Sequence, residues 1–404
     1  MTATQRAVQV FLVFAFTYFF SALLRAVTAT LAPSFSAELG LRAADLGLLA
    51  GAYFLGFAAM QLPLGRALDR LGPRRVLVAL LSVAVLGCIC FALARSVWAL
   101  IAARVLIGVG VSACLMAPLT CFRRLYTPAA QLRANSWMLM TGSIGMLGST
   151  LPVQWLLPFW GWRGLFWAVA ALLVVAMFFT SWLVPRDPEA PATPVEGGSY
   201  RAIVRHPLFL RMAPLAFFVY GGLIAVQALW AGPWLTRVTG VSADAAARGL
   251  FIVNLAMMFT FMAWGALMPR LARRGLGAIR LMTWGVPVSL LLLATNIALG
   301  AGAGALHWAA WCVSCTFVSL SQPLFGQAFP EALAGRALSA FNLVIFGGVF
   351  CLQWGIGLMI DALQVLGVAE PRAFQFAFGA FFVCCVAAYG VFVLSPRVHA
   401  DNGR

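Results

Sequence analysis

Two arginines of this 404-residue chain, Arg25 and Arg104, lie inside long apolar runs, at about 8–31 and 97–119. An ionised side chain at the centre of an apolar helix costs a few kcal/mol on insertion scales, so it needs a polar partner or a water-filled path. For Arg104 two roles stand open, contact with a solute or proton pathway and, as the plainer one, snorkelling or bracing of a helix bundle. For Arg25 the plainer alternative is snorkelling to the nearer membrane face. Four uncharged polar residues sit in the same kind of setting: Gln227, Asn254, Gln322 and Asn342. Buried amides hydrogen-bond a ligand or a neighbouring helix. A third group is the compact string Gly65-Arg66-Ala67-Leu68-Asp69-Arg70-Leu71-Gly72-Pro73-Arg74-Arg75. Its glycines let a short turn close, and Asp69 can sit between arginines in a charge-assisted cluster that latches helices in one state. The plainer alternative is a solvated basic loop that sets topology.

Other reactive types give less. All nine cysteines lie in or beside apolar runs, including the Cys312-x-x-Cys315 pair, which reads as packing. Met258 and Met262 share a helix face suited to Cu(I), although such pairs usually pack, and His307 stands alone. No phosphate-binding loop, zinc motif or Ser-His-Asp order occurs, so neither an enzyme nor ATP-driven transport is expected, and no cofactor or metal.

The elements that must carry these residues follow from composition. Hydrophobic residues make up 63% of the chain and charged ones 9%, whereas a soluble domain carries roughly 25% charged residues. Lipid is therefore the expected solvent. Twelve apolar runs are legible, at about 8–31, 45–65, 75–94, 97–119, 135–157, 162–184, 212–236, 248–268, 279–300, 303–326, 337–360 and 373–395. Each is long enough to cross ~30 Å of hydrocarbon as a helix, and about twice the length of a barrel strand. The first run is too long for a cleavable signal and leads to no small-residue cleavage site.

The net charge of +16 comes from arginine alone, with no lysine in the chain. Its placement in alternate loops is a topology signal rather than a nucleic-acid surface. Nineteen arginines fall on the side of the N-terminus and six on the other, which predicts both termini in the cytoplasm of an inner-membrane, multi-pass protein. The Pro- and Gly-rich stretch 185–211 reads as a cytoplasmic linker between an N-terminal six-helix bundle, 1–184, and a C-terminal one, 212–396, with a tail at 397–404. Gly65, Leu68, Arg70, Leu71 and Arg74 are echoed by Gly265, Met268, Arg270, Leu271 and Arg274, and Arg133-Ala134 by Arg336-Ala337. Matches in order at nearly constant offset favour duplication.

The loop from Gly65 to Arg75 resembles the signature of the major facilitator superfamily, G-x-x-x-D-R-x-G-R-[RK], with Pro73 at the first position of the basic pair. Arg104-x-x-x-Gly108-x-Gly110 resembles the arginine-glycine motif of that family's fourth span. Arg25-Ala26, followed by Ala32-Pro33, resembles the first helix of its anion:cation symporter branch. The resemblance implies an all-α membrane fold of twelve transmembrane helices in two six-helix bundles, each made of inverted three-helix repeats, with one solute site near the bilayer midplane between them. It implies that Arg25 and Arg104 form a cationic clamp, suited to carboxylate or phosphate because guanidinium pairs with these bidentately. Gly65, Asp69, Arg70, Gly72, Arg74 and Arg75 would form the gating motif. The expected function is a monomeric secondary transporter, a symporter of a small organic anion working by alternating access. Leu24 and Val111 replace that branch's acids, and no Asp or Glu lies deep in any run, so the coupling ion, H+ or Na+, is left open. The G-x-x-G-x-x-G spacing at Gly142, Gly145 and Gly148 predicts tight helix packing and lacks the antiporter pattern. Two other functions remain open, carriage of a neutral or amphipathic compound and a non-transporting receptor or assembly partner.

Overall fold

A computed structural model describes residues 3–185, 200–329 and 331–395, and among them every regular element is helical. The prolines and glycines of 186–199 and the tail after 395 lie outside the described residues, as does the side chain of Asp69.

Among the described residues twelve spans follow one another, with a short helix, Tyr200–Arg205, ahead of the seventh. Span 1 is Ala3–Leu39. Span 2 is the pair Ala43–Ala59 and Gln61–Leu68, bent by 42°, and span 3 is Arg70–Leu93. Span 4 joins Val97–Val111 to Ala113–Leu125. Span 5 starts as Pro128–Gly148 and continues through 151–160, where Gly161 at φ 60° turns the chain into span 6, 162–183. After the linker come span 7 (Pro207–Val238), span 8 (Ala243–Arg273), span 9 (Ala278–Leu299), span 10 (305–327), span 11 (Glu331–Val365) and span 12 (Glu370–Leu394). Nine helices among the described residues are individually long and apolar enough to cross a membrane, or ten with the bent pair. The other two spans fail that test for local reasons. Span 5 opens on the polar residues Gln131, Arg133 and Asn135, and span 10 is interrupted by a 3₁₀ stretch.

The breaks have sequence causes. Pro63 has no N–H for the Ala59 carbonyl, and span 2 bends between Ala59 and Gln61. In span 10 the hydroxyls of Ser314, Thr316, Ser319 and Ser321 each donate to the carbonyl three residues back at 2.5–2.7 Å. That pattern tightens the helix, and Thr316–Leu320 is 3₁₀. Large apolar side chains such as Phe159, Phe178, Trp182, Leu291 and Val383 are exposed, as expected where lipid supplies the outer solvent.

By their contacts the helices sort into two compact units, Met1–Leu39 with Ala52–Pro194, and Gly40–Gly51 with Val195–Arg404. In unit 1 glycines set the helix approaches. A Cβ on Gly108 would collide with the Tyr53 backbone, one on Gly56 with Val105, and one on Gly110 with Ala84. Span 4 therefore lies close against spans 2 and 3. Gly142, Gly145 and Gly148 likewise seat span 5 on Tyr18 and Phe19 of span 1, the tight packing their spacing predicts. Thr30 Oγ1 donates to the Ser149 carbonyl at 2.7 Å. At the far end of span 1, Glu38 accepts from Trp162 Nε1 at 2.5 Å and pairs with Arg163 of span 6.

Unit 2 is built around an irregular span 7. Its segments Ala216–Tyr220, Val226–Trp230 and Trp234–Val238 are π-helical, with Gly221, Ala231 and Thr239 donating to carbonyls five residues back. Such segments occur as isolated turns and mark functional stretches of a helix. Trp230 and Trp234 of this span are both fully buried. Trp234 packs edge-on against Trp308 at 5.1 Å and Phe378 at 5.0 Å. The i, i+4 spacing places both indoles on the inner face, where spans 10 and 12 supply aromatic partners. Asp361 of span 11 accepts from the Ala43 and Ala44 N–H groups at 3.1 and 3.0 Å, capping the helix that starts there. Arg237, at the end of span 7, pairs with Glu370, at the start of span 12, at 2.9 Å.

Candidate functional site

The two arginines singled out by sequence meet in unit 1 around a residue that was not. Gly108 lies one helical turn beyond Arg104 on the same face of span 4, and its lack of a side chain brings span 4 onto the backbone at Tyr53. The Arg104 guanidinium consequently lies 5.0 Å from the centroid of the Tyr53 ring. Arg104 is fully buried, and its Nη1 donates to the Leu24 carbonyl of span 1 at 2.8 Å. Arg104 therefore braces span 1 at the residue next to Arg25. A cation held over an aromatic face and bonded to a carbonyl is stabilised on two sides in a medium that would otherwise reject it.

Arg25 is partly buried. Its guanidinium faces the hydroxyls of Tyr18 and Tyr53 and stands 5.7 Å from the Phe57 ring centroid. Tyr53 donates its proton to the Ser21 carbonyl at 3.2 Å, which leaves the lone pairs of the phenol oxygen for the arginine. Arg25 Nε is buried with no hydrogen-bond partner. Tyr53 and Phe57 stack at 6.2 Å with an interplanar angle of 16°. Two thiols adjoin them, Cys88 near Arg104 and Cys114 near Arg25 and Ser21. The result is a largely buried cluster of two cations, two phenols and stacked rings. It offers donors for an anion's oxygens and flat apolar surface for a ring.

The four amides lie in unit 2 and are bonded to one another. Gln227 Nε2 donates to Asn254 Oδ1 at 2.9 Å, and Asn254 Nδ2 to the Leu250 carbonyl. Gln322 Nε2 donates to Asn342 Oδ1 at 2.7 Å, and the Tyr220 hydroxyl to Gln322 Oε1 at 3.2 Å. Span 7 is thus tied to spans 8 and 10, and span 10 to span 11. These are the cross-helix bonds that sequence reasoning offered as the alternative to solute binding.

In the loop motif only Gly72 adopts a left-handed conformation, at φ 77°, and Pro73 starts the next helix after it. Gly65 was expected to help close the turn. It is helical, with nothing within 4 Å of where its Cβ would be. Arg70 and Arg75 are exposed, Arg74 is intermediate, and the Asp69 side chain lies outside the described residues. Sequence reasoning missed Tyr18 and Tyr53. The one available signal was that they are two of only six tyrosines and lie in the helices adjoining Arg25.

Comparison with known proteins places this architecture. The Major Facilitator Superfamily model matches residues 14–352. The chain belongs to that superfamily of membrane transporters, and its fold is the twelve-helix fold of the family. Along most of its length it resembles the gallate transporter of Pseudomonas putida, 26% identical over 398 residues and covering 86% of each chain. A shorter match, 29% identical over 179 residues, is to the inner membrane transport protein YajR of Escherichia coli (strain K12). It takes in 43% of this chain and spans only 38% of YajR. Among solved structures, the D-xylose-proton symporter superposes with a TM-score of 0.78 at 15% identity, covering 98% of this chain and 99% of that one. At that identity the likeness concerns the fold alone.

Proposed function

We propose that this chain is a secondary transporter of a small organic anion, with Arg25 as the group that meets the anion and Arg104 as the fixed second charge. The observation carrying this reading is the arrangement around Arg25: a guanidinium with a free Nε, two phenol oxygens beside it and a second arginine on the same tyrosine. A carboxylate is the solute these donors suit best, since it accepts a planar pair of hydrogen bonds. The rings of Tyr18, Tyr53 and Phe57 favour a carboxylate attached to a flat ring. The full-length likeness to a gallate transporter supports the same class. Arginine placement supports an inner-membrane location with both termini in the cytoplasm, and the loop from Gly65 to Arg75 serves as the gating motif. Gln227, Asn254, Gln322 and Asn342 contact the solute only if their mutual bonds open during the cycle.

The test is thermal unfolding of the purified protein with gallate, 4-hydroxybenzoate, succinate, phosphate and xylose. A ligand at a hundred times its Kd stabilises by about 2.7 kcal/mol. Aromatic carboxylates should raise Tm most and xylose not at all. Arg25→Gln should weaken the response by at least roughly tenfold in concentration, about 1.4 kcal/mol. Stabilisation by neutral compounds alone, with Arg25→Gln responding like wild type, would replace the anion by a neutral or amphipathic solute.

A further inference from the structure

Unit 2 holds an aromatic cluster that neither the arginines nor the amides account for. The end of span 7 contributes Trp230 and Trp234, the start of span 10 Trp308 and Trp311, and the start of span 12 Phe374 and Phe378. Their rings meet edge to face: Trp230 with Phe374 at 5.9 Å, Trp234 with Trp308 at 5.1 Å and with Phe378 at 5.0 Å, and Trp308 with Trp311 at 5.6 Å. Indole carries one N–H donor and no acceptor, and a buried tryptophan ordinarily finds that donor a partner. Trp162 and Trp264 do so, on Glu38 at 2.5 Å and on the Thr316 hydroxyl at 2.8 Å. Trp230, Trp234 and Trp308 do not. All three are fully buried, and none of their Nε1–H groups meets an acceptor. A buried donor without a partner costs free energy. Three of them gathered in one apolar cluster call for an occupant.

We infer that this cluster is a binding site of its own, built without Arg25, for an uncharged molecule that accepts hydrogen bonds and has none to donate: the carbonyl or ether oxygen of a ketone, ester or quinone on an apolar body. It does not rest on the anion reading. The donor set selects the oxygen, since three N–H groups offer nothing to a hydroxyl or amine proton. The setting selects neutrality. Arg237, three residues past Trp234, is already paired with Glu370 at 2.9 Å. The cluster itself supplies only rings, so an ionised ligand there loses its hydration without gaining a counter-charge. The same rings give flat apolar area to the body of the ligand. Trp230 closes one π turn of span 7 and Trp234 opens the next, on either side of Ala231–Pro233. A π turn holds one residue more than an α turn, so its loss rotates the helix beyond it by about 100°. That rotation moves an indole aside and makes room among the packed rings. Water offers the same lone pairs, but it also brings two protons, for which these six side chains have no acceptor.

The experiment uses benzophenone, whose carbonyl accepts hydrogen bonds and donates none. Under ultraviolet light that carbonyl takes a hydrogen atom from a neighbouring C–H and couples to the carbon left behind. The purified full-length chain is irradiated with it, and labelled peptides are located by mass spectrometry. Label should fall on spans 7, 10 and 12 around Trp230, Trp234 and Trp308. An excess of methyl benzoate should suppress it, and diphenylmethane, which has the rings without the oxygen, should not. Trp234→Phe removes a donor together with some volume, whereas replacement of Trp234 by 3-benzothienylalanine removes the N–H alone. Each should raise the half-saturating benzophenone concentration about fivefold, the effect of one lost hydrogen bond. With the benzothienyl side chain the ligand-free Tm should stay level or rise, because an unpaired donor has gone. Label confined to other spans, or unchanged by both replacements, would overturn the site. A lower ligand-free Tm with the benzothienyl side chain would also overturn it, by showing that buried water already occupies the donor.

Discussion

Tyr53 links Arg25, Arg104 and the Ser21 carbonyl through one ring and one hydroxyl. Tyr53→Phe keeps the face that Arg104 lies over and removes the oxygen. The protein should fold with a loss of about 1 kcal/mol for the Ser21 bond. Its anion affinity should fall several-fold, as Arg25 loses one of the two hydroxyls that orient it, and ligand titration at fixed temperature separates the two effects. The arginines were legible because a charge in an apolar run has few explanations. Tyr53 was not, because a tyrosine in such a run has many. Its role comes from a contact between residues 53 and 108, which no local pattern records. The four amides were equally visible, and they are hydrogen-bonded in pairs across helices, Gln227 with Asn254 and Gln322 with Asn342.

Helix approach decides whether that residue cluster exists, and two glycines separate packing from mere presence in a motif. Gly108→Val puts a branched side chain against the Tyr53 backbone. It should cost about 1–3 kcal/mol and abolish anion binding in whatever fraction still folds, read by Tm and by ligand-induced shift. Gly65→Ala faces open space in a helix, so it should be neutral or stabilise by up to about 1 kcal/mol, read by Tm. At this scale the sequence disclosed where helices are but understated their length. Apolar runs end at the edge of the hydrocarbon, whereas backbone hydrogen bonding does not, and span 1 continues from an expected end near residue 31 to Leu39. The π turns of span 7 had only Pro233 and its neighbours as a sign, since an extra residue per turn leaves no mark on hydrophobic content. The 3₁₀ stretch of span 10 did have a sign in its run of hydroxyl residues, once their bonding to carbonyls is considered.

For the whole molecule, the twelve apolar runs and the loop motif were enough to predict the superfamily, because bilayer thickness fixes span length and few folds use twelve spans with a midpoint break. Orientation remains a prediction of arginine placement. A fluorescent protein fused after Arg404 should fold and fluoresce, and alkaline phosphatase at the same point should be inactive. A phosphatase fused within the turn at Gly161 should be active. Finally, each unit fastens its first and last spans with one acid and one arginine, in opposite order: Glu38 with Arg163 in unit 1, Arg237 with Glu370 in unit 2. While the chain is being threaded into the bilayer, two halves of similar length and composition compete for the same neighbours. Span 1 beside span 12 would set Glu38 against Glu370, and span 7 beside span 6 would set Arg237 against Arg163, so wrong partners repel and right ones attract. The reversed order acts as an address that keeps each end helix with its own half. Exchanging the pair in unit 1, Glu38→Arg with Arg163→Glu, preserves attraction there but erases the address. The expected outcome is a smaller yield of folded protein with little change in the Tm of the part that folds.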